Sequence, residues 1–138
     1  MTSTYGMHLT MRLNGIERRG ALEGAAAVKE LVVDLVDRIG MRVLAGPLVG
    51  EEQGPADKRG WSCVVIVYES HIAIHTYPDL GEAFLDIFSC REFEVSDVKA
   101  VLTEKLGDFA ICESNFFDRG VHWSPNVQRE LAGWLAHR

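Results

Sequence analysis

A serine, two histidines, a carboxylate and a thiol lie close together in this chain: Tyr68-Glu69-Ser70-His71-Ile72-Ala73-Ile74-His75-Thr76-Tyr77-Pro78-Asp79, then Cys90 eleven residues on. A hydroxyl can attack a carbonyl, and an imidazole titrating near neutral pH can carry its proton. A thiol that keeps its proton up to a pH of about 8.5 can return one. These are parts for self-processing and acid/base chemistry.

Their spacing constrains how they can meet. In a regular strand, residues two or four apart share a face, so His71 and His75 should point together while Ser70 points away. That pair could bind a metal with Cys90 as third ligand, but no second thiol or carboxylate sits at a ligand-like spacing. Two hydrogen-bonded sheet histidines and a small buried thiol describe the same residues without a metal, and none is expected.

The elements that must position these groups follow from periodicity. His8 to Leu13 alternates apolar and polar residues and ends at Asn14-Gly15, a strand closed by a turn. From Leu22 to Ile39 the apolar residues recur at helical steps and Gly40 supplies the stop. Met41 to Val49 is a second strand, and Gly50 to Gly60 is a polar loop. Ser62 to Tyr68, His71 to Thr76 and Ala83 to Phe88 are β-branched or strand-like runs. Ser96 to Leu106 reads as a helix, Phe109 to Phe117 as a strand, and Ser124-Pro125 as the start of a last helix running to Ala136. The expected fold is α+β: a two-layer sandwich, mainly antiparallel sheet with helices on one face. The uncovered face would be apolar, so a homodimer by sheet packing is expected.

Composition sets outer bounds. At 138 residues and 47% hydrophobic, residues 1–138 should form a single domain. A net charge of −6 argues against nucleic acid or an anionic membrane as partner, since both need clustered cations. The most apolar run, Ala25 to Val36, is broken by Lys29, Glu30 and Asp34, so a soluble, cytoplasmic protein is expected. Three cysteines without a Cys-x-x-Cys fit a reducing compartment. Cys63 and Cys112 read as buried packing residues.

The string Glu69-Ser70-His71, with His75-Thr76 after it, Asp86-x-Phe88-x-Cys90 beyond, Gly6-x-His8-Leu9 near the N-terminus and Gly60-x-Ser62 upstream, resembles the prokaryotic S-adenosylmethionine decarboxylase proenzymes. The resemblance implies a pyruvoyl-dependent decarboxylase of polyamine biosynthesis that cuts itself between Glu69 and Ser70. The products would be a β chain, 1–69, and an α chain, 70–138, whose pyruvoyl cofactor is made from Ser70. It implies His75 as the base of processing, Ser62 as a hydroxyl bonding the processing intermediate, and Cys90 as the acid of turnover. The substrate amine would form a Schiff base with the pyruvoyl carbonyl, an electron sink like pyridoxal phosphate elsewhere.

Substrate contacts carry over less completely. Glu69 and Asp79 match substrate-contacting positions, with Asp79 one methylene shorter than the family's usual Glu. Where the family places an aromatic to stack on adenine, six residues before Ser62, this chain has Ala56. Losing such a platform removes roughly 1 to 3 kcal/mol, so another aromatic should replace it, with Trp61 nearest in sequence and Phe116 and Phe117 as further candidates. A basic amino acid, L-arginine or L-ornithine, is the alternative substrate, with Asp79, Glu51 or Glu52 meeting its distal cation. An inactive regulatory paralogue is disfavoured because Ser70, His75 and Cys90 are all present.

Overall fold

The computed structural model describes residues 4–120 together with Arg129, Gly133 and Ala136. Six strands, β1 (Gly6–Asn14), β2 (Val43–Glu52), β3 (Gly60–Val67), β4 (Ser70–Tyr77), β5 (Glu82–Ser89) and β6 (Ala110–Arg119), form one sheet in the order β2-β3-β4-β5-β1-β6. Every neighbouring pair is antiparallel. Helices α1 (Ala25–Arg38) and α2 (Val95–Leu106) cover one face. The expected last helix, from Ser124 to Ala136, lies outside the described residues apart from the helical Arg129, Gly133 and Ala136.

The two layers follow from the period-2 pattern. Leu9, Met11 and Leu13 of β1, Cys63, Val65 and Val67 of β3, Ile72 and Ile74 of β4, and Ala83, Leu85 and Ile87 of β5 are all buried and share the helix side. They meet Val28, Leu31, Val32, Leu35 and Val36 of α1 and Val98, Val101, Leu102 and Leu106 of α2. Burying a side chain of this size contributes about 1.5–3 kcal/mol, which makes this seam the main source of stability.

Two of the boundaries that differ from the sequence reading have a clear local cause. The apolar period starts at Leu22, but Arg19–Leu22 is a separate 3-10 turn and α1 begins only at Ala25. Gly24 explains the break: at φ 94° and ψ 151° its backbone cannot continue a helix. The other end of α1 closes as the sequence suggests, with the N–H groups of Gly40 and Met41 donating to the carbonyls of Asp37 and Val36 at 3.2 and 2.9 Å, a Schellman arrangement. Strand β2 runs on to Glu52 instead of stopping at Val49, leaving 53–59 as the loop. Its charged end is tolerated because β2 is an edge strand, exposed along most of its length.

The open face is mixed rather than apolar. Val64, Ile66, Phe84 and Phe117 are exposed there, but His8, Thr10, Arg12, His71, His75, Asp86 and Glu113 are set among them.

Candidate active site

Strands β3 and β4 form a tight hairpin in which Val67 pairs with Ser70 and Tyr68-Glu69 make the turn. The turn thus falls immediately before Ser70. Glu69 is only 4% exposed, and its carboxylate accepts the backbone N–H of Arg42 at 3.2 Å. Its carbonyl oxygen accepts the backbone N–H of Cys90 at 2.9 Å, while Ser70 pairs with Ser89 across the β4–β5 ladder. Glu69 and Ser70 therefore meet Cys90, twenty residues on in sequence, at one end of the sheet.

A second group forms at the opposite end. Ser62 and His75 are direct cross-strand partners on the open face, and Ser62 Oγ lies 2.7 Å from His75 Nδ1, a hydrogen bond whose direction follows the imidazole tautomer. His71 and His75 do share this face, as strand parity requires. The expected single constellation is thus two half-sites. Five residues of strand separate Ser70 from His75, about 17 Å at roughly 3.4 Å per residue, so His75 cannot reach Ser70 within one copy.

The glycines of both short motifs have a steric role. A Cβ at Gly6 would overlap the carbonyl of Ser89 and crowd the backbone of Cys90, and one at Gly60 would overlap the carbonyl of Thr76. Each motif glycine therefore lets a neighbouring strand approach beside one half-site: Gly6 next to Cys90, and Gly60 next to Ser62 and His75.

Between the half-sites, His8 and His71 flank Phe88 in one cross-strand row, and Asp86 stands two residues along β5. Asp86 Oδ1 lies 2.7 Å from His8 Nε2 and 3.2 Å from His71 Nε2. The three donor atoms lie within 4.8 Å of one another, a spacing that could hold a cation. The hydrogen bonds give a metal-free account. Arg119 Nη1 donates to His8 Nδ1 at 3.3 Å, which leaves Nε2 as the protonated nitrogen facing Asp86. Sequence reasoning gave His8 and Asp86 no role, although both stand inside quoted motifs. Their convergence depends on strand order, which pairs β1 with β5. Arg12, His71, His75, Phe84 and Asp86 help line a groove of about 550 Å³ on this face.

Three substrate-side expectations look different in place. Trp61 is 8% exposed and packs with the helix-side core, on the face away from Ser62 and His75, so it offers no stacking surface there. The cause is strand parity, since Trp61 and Ser62 are consecutive in β3. Phe117 does face the open side, against His8 at 5.1 Å between ring centroids, whereas Phe116 packs on Phe93. Asp79 is already engaged: Arg59 Nε and Nη2 donate to its two carboxylate oxygens at 2.7 and 3.0 Å. These bonds hold the Asp79 carboxyl below its usual range and push the Arg59 guanidinium up. Of the other cysteines, Cys63 is buried, which pushes its thiol up, but Cys112 is exposed on β6 rather than packed inside.

Comparison with known proteins agrees with this architecture. Residues 7–120 match the S-adenosylmethionine decarboxylase family, and the chain belongs to it. It is 33% identical over 87 residues to an S-adenosylmethionine decarboxylase proenzyme of Methanococcus maripaludis, covering 63% of this chain and 66% of that protein. A Methanococcus vannielii proenzyme of the same name is 32% identical over 92 residues, covering 67% of this chain and 70% of that protein. One from Pseudomonas aeruginosa is 40% identical over 77 residues, 54% of this chain and 48% of that protein. The chain thus aligns with between about half and 70% of these relatives' lengths. The crystal structure of the adenosylmethionine decarboxylase from Aquifex aeolicus shares the fold, with a TM-score of 0.71 at 22% identity over 88% of this chain and 96% of that one. No helix among the described residues is long and apolar enough to cross a membrane.

Proposed function

We propose that this protein is a self-processing, pyruvoyl-dependent decarboxylase of S-adenosylmethionine, acting as a homodimer in polyamine synthesis. The observation that carries the reading is the Cys90 N–H donated to the Glu69 carbonyl. When Ser70 Oγ attacks that carbonyl carbon, the oxygen gains negative charge, and a fixed backbone donor stabilises it there. The peptide nitrogen leaves as an amine, giving an ester. Removal of the Ser70 α-proton then expels the Glu69 carboxylate, and water takes the place of nitrogen, releasing ammonia and leaving a pyruvoyl group on residue 70.

The α-proton needs a base, and His75, bonded to Ser62, has the chemistry but stands at the wrong end of its own strand. Packing two open faces about a two-fold axis with strands reversed brings the Ser62–His75 end of one copy over the Ser70–Cys90 end of the other. That packing also covers Val64, Ile66, Phe84 and Phe117. Each dimer would then hold two complete sites, and His8, Asp86 and His71 would lie between them.

The pyruvoyl carbonyl supplies an electron sink for loss of the substrate carboxylate. This chain's residues then orient the substrate and handle protons. Cys90, half-buried beside residue 70, is placed to return a proton to the decarboxylated carbon, and Glu69 lies against the same corner. Family membership favours S-adenosylmethionine over L-arginine or L-ornithine, and Asp79, one of the carboxylates that could meet a distal cation, is already bonded twice to Arg59. The test is carbon dioxide release from the three compounds side by side. Release from S-adenosylmethionine alone supports the assignment, and release only from a basic amino acid overturns it.

A further inference from the structure

Resting on the self-processing reading above, we propose that Ser89 is a positioning residue for the first step of cleavage: its buried hydroxyl fixes the turn through Cys90 and so keeps the Cys90 N–H aimed at the Glu69 carbonyl. Ser89 ends β5, where it continues the inward alternation of Ala83, Leu85 and Ile87 and is 0% exposed. That pattern calls for an apolar side chain, and a hydroxyl buried there needs partners. Its backbone is held on both sides, paired with Met7 of β1 and Ser70 of β4. Cys90 is the first residue past the strand, so the strand alone does not set its backbone angles.

The hydroxyl is used twice. Ser89 Oγ accepts the Arg91 backbone N–H at 2.9 Å and donates to the Arg91 carbonyl oxygen at 2.6 Å. A hydroxyl has one donor and two acceptor lone pairs, so both bonds can form together. They close a loop over Cys90, which leaves that residue little freedom to turn. The carbonyl side of the contact is held separately: the Arg42 N–H donates to Glu69 Oε1 at 3.2 Å, and the Arg42 carbonyl accepts the Tyr68 N–H at 3.0 Å. Glu69 is thus anchored by the segment after α1, and the donor that faces its carbonyl at 2.9 Å is anchored by Ser89. A donor held in place before charge develops stabilises that charge without reorganising, whereas a loose one must first be ordered. Alanine at 89 would remove both bonds. Water could satisfy the exposed backbone of Arg91, but it would not tie that residue to the end of β5.

The experiment follows newly synthesised chains of wild type, Ser89→Ala and Ser89→Thr over time on denaturing gels, with and without hydroxylamine. Ser89→Ala should be cleaved about tenfold more slowly, within the ~10²-fold that a misplacement of about 1 Å can cost. Ser89→Thr keeps the hydroxyl and should cleave at close to the wild-type rate. The slow Ser89→Ala chain should persist as an amide that hydroxylamine does not cut, because the defect precedes the ester. Wild-type cleavage of Ser89→Ala, equal slowing in Ser89→Thr, or an accumulating hydroxylamine-sensitive ester overturns the proposal. Should Ser89→Ala fail to fold, amide hydrogen exchange on the uncleavable Ser70→Ala chain decides the matter. With Ser89 intact, the Arg91 amide should exchange at least about tenfold more slowly than in a free peptide, and exchange at the free-peptide rate sinks the proposal. A wild-type chain that is never cut would refute the self-processing reading by itself. Adding Ser89→Ala to the Ser70→Ala chain would still judge Ser89: the Cys90 amide should then exchange faster, and an unchanged rate refutes the positioning role.

Discussion

Ser70 opens the eight-residue strand β4 beside Cys90, and His75 stands five residues along it beside Ser62. Residues that look like one cluster in sequence are separate half-sites in space. On the proposed mechanism, the distance between them calls for a second copy.

Cleavage is the first expectation. Denaturing mass spectrometry of purified protein should show fragments 1–69 and 70–138, the second blocked by a pyruvoyl group. Ser70→Ala should remain a single chain. An intact wild-type chain after long incubation would end the self-processing proposal.

If His75 acts on the other copy, as proposed, two defective chains should rescue each other. His75→Ala alone should stall as an ester that hydroxylamine cleaves, and Ser70→Ala alone cannot be cut. Co-expressed, they should give hybrid dimers in which the His75→Ala chain is processed by its partner's intact histidine. If the His75→Ala chain stays stalled in verified hybrids, His75 does not act across the interface.

Under the proposed roles, Cys90 would act in turnover through its thiol and in processing through its backbone N–H. Cys90→Ala keeps the N–H, so it should still be cleaved while losing about 10²–10⁴-fold in turnover, the usual worth of a positioned proton donor. Wild-type turnover in this variant would remove the thiol from the mechanism.

The two faces of the sheet should respond to mutation differently. Ile74→Ala removes a fully buried side chain under α1 and should cost about 2–5 kcal/mol in denaturant unfolding. Phe84→Lys, on the open face, should leave the fold's stability nearly unchanged in the monomer but abolish the dimer in sedimentation. A dimer that survives Phe84→Lys places the interface elsewhere.

Asp79 gives a pH signature. Arg59 bonds to the charged carboxylate and lowers its pKa. The pair's contribution is therefore complete above the unfolded carboxyl's value of about 3.9 and fades as pH falls through the lower, folded value. The Tm gap between wild type and Asp79→Asn should be present at neutral pH and close below about pH 4. A gap that is constant across this range would show that the pair contributes no charge-dependent stability.

Much of this was legible in the residues. Period-2 runs located the strands, and the three- and four-residue steps of Val28, Leu31, Val32 and Leu35 located α1, because both are local patterns that burial enforces. Strand order was not legible, and the central cluster depends on it: His8 meets Asp86 only because β1 inserts between β5 and β6. Trp61 was assigned by nearness in sequence, and one residue of parity sent it to the other face. Cysteines are usually buried, so the sequence favours a packed Cys112, but it sits exposed on the edge strand β6.

That insertion of β1 also decides what cutting the chain does to it. A break after Glu69 assigns β1, β2 and β3 to one fragment and β4, β5 and β6 to the other, yet β1 is hydrogen-bonded along both edges to strands of the second fragment. The fragments would be interleaved, so the proposed cut would leave the folded shape intact with no covalent link between the pieces. Once denatured, they must find each other by diffusion, and recovery of the mature protein should depend on its concentration, whereas the uncut Ser70→Ala chain can restore this sheet within a single molecule.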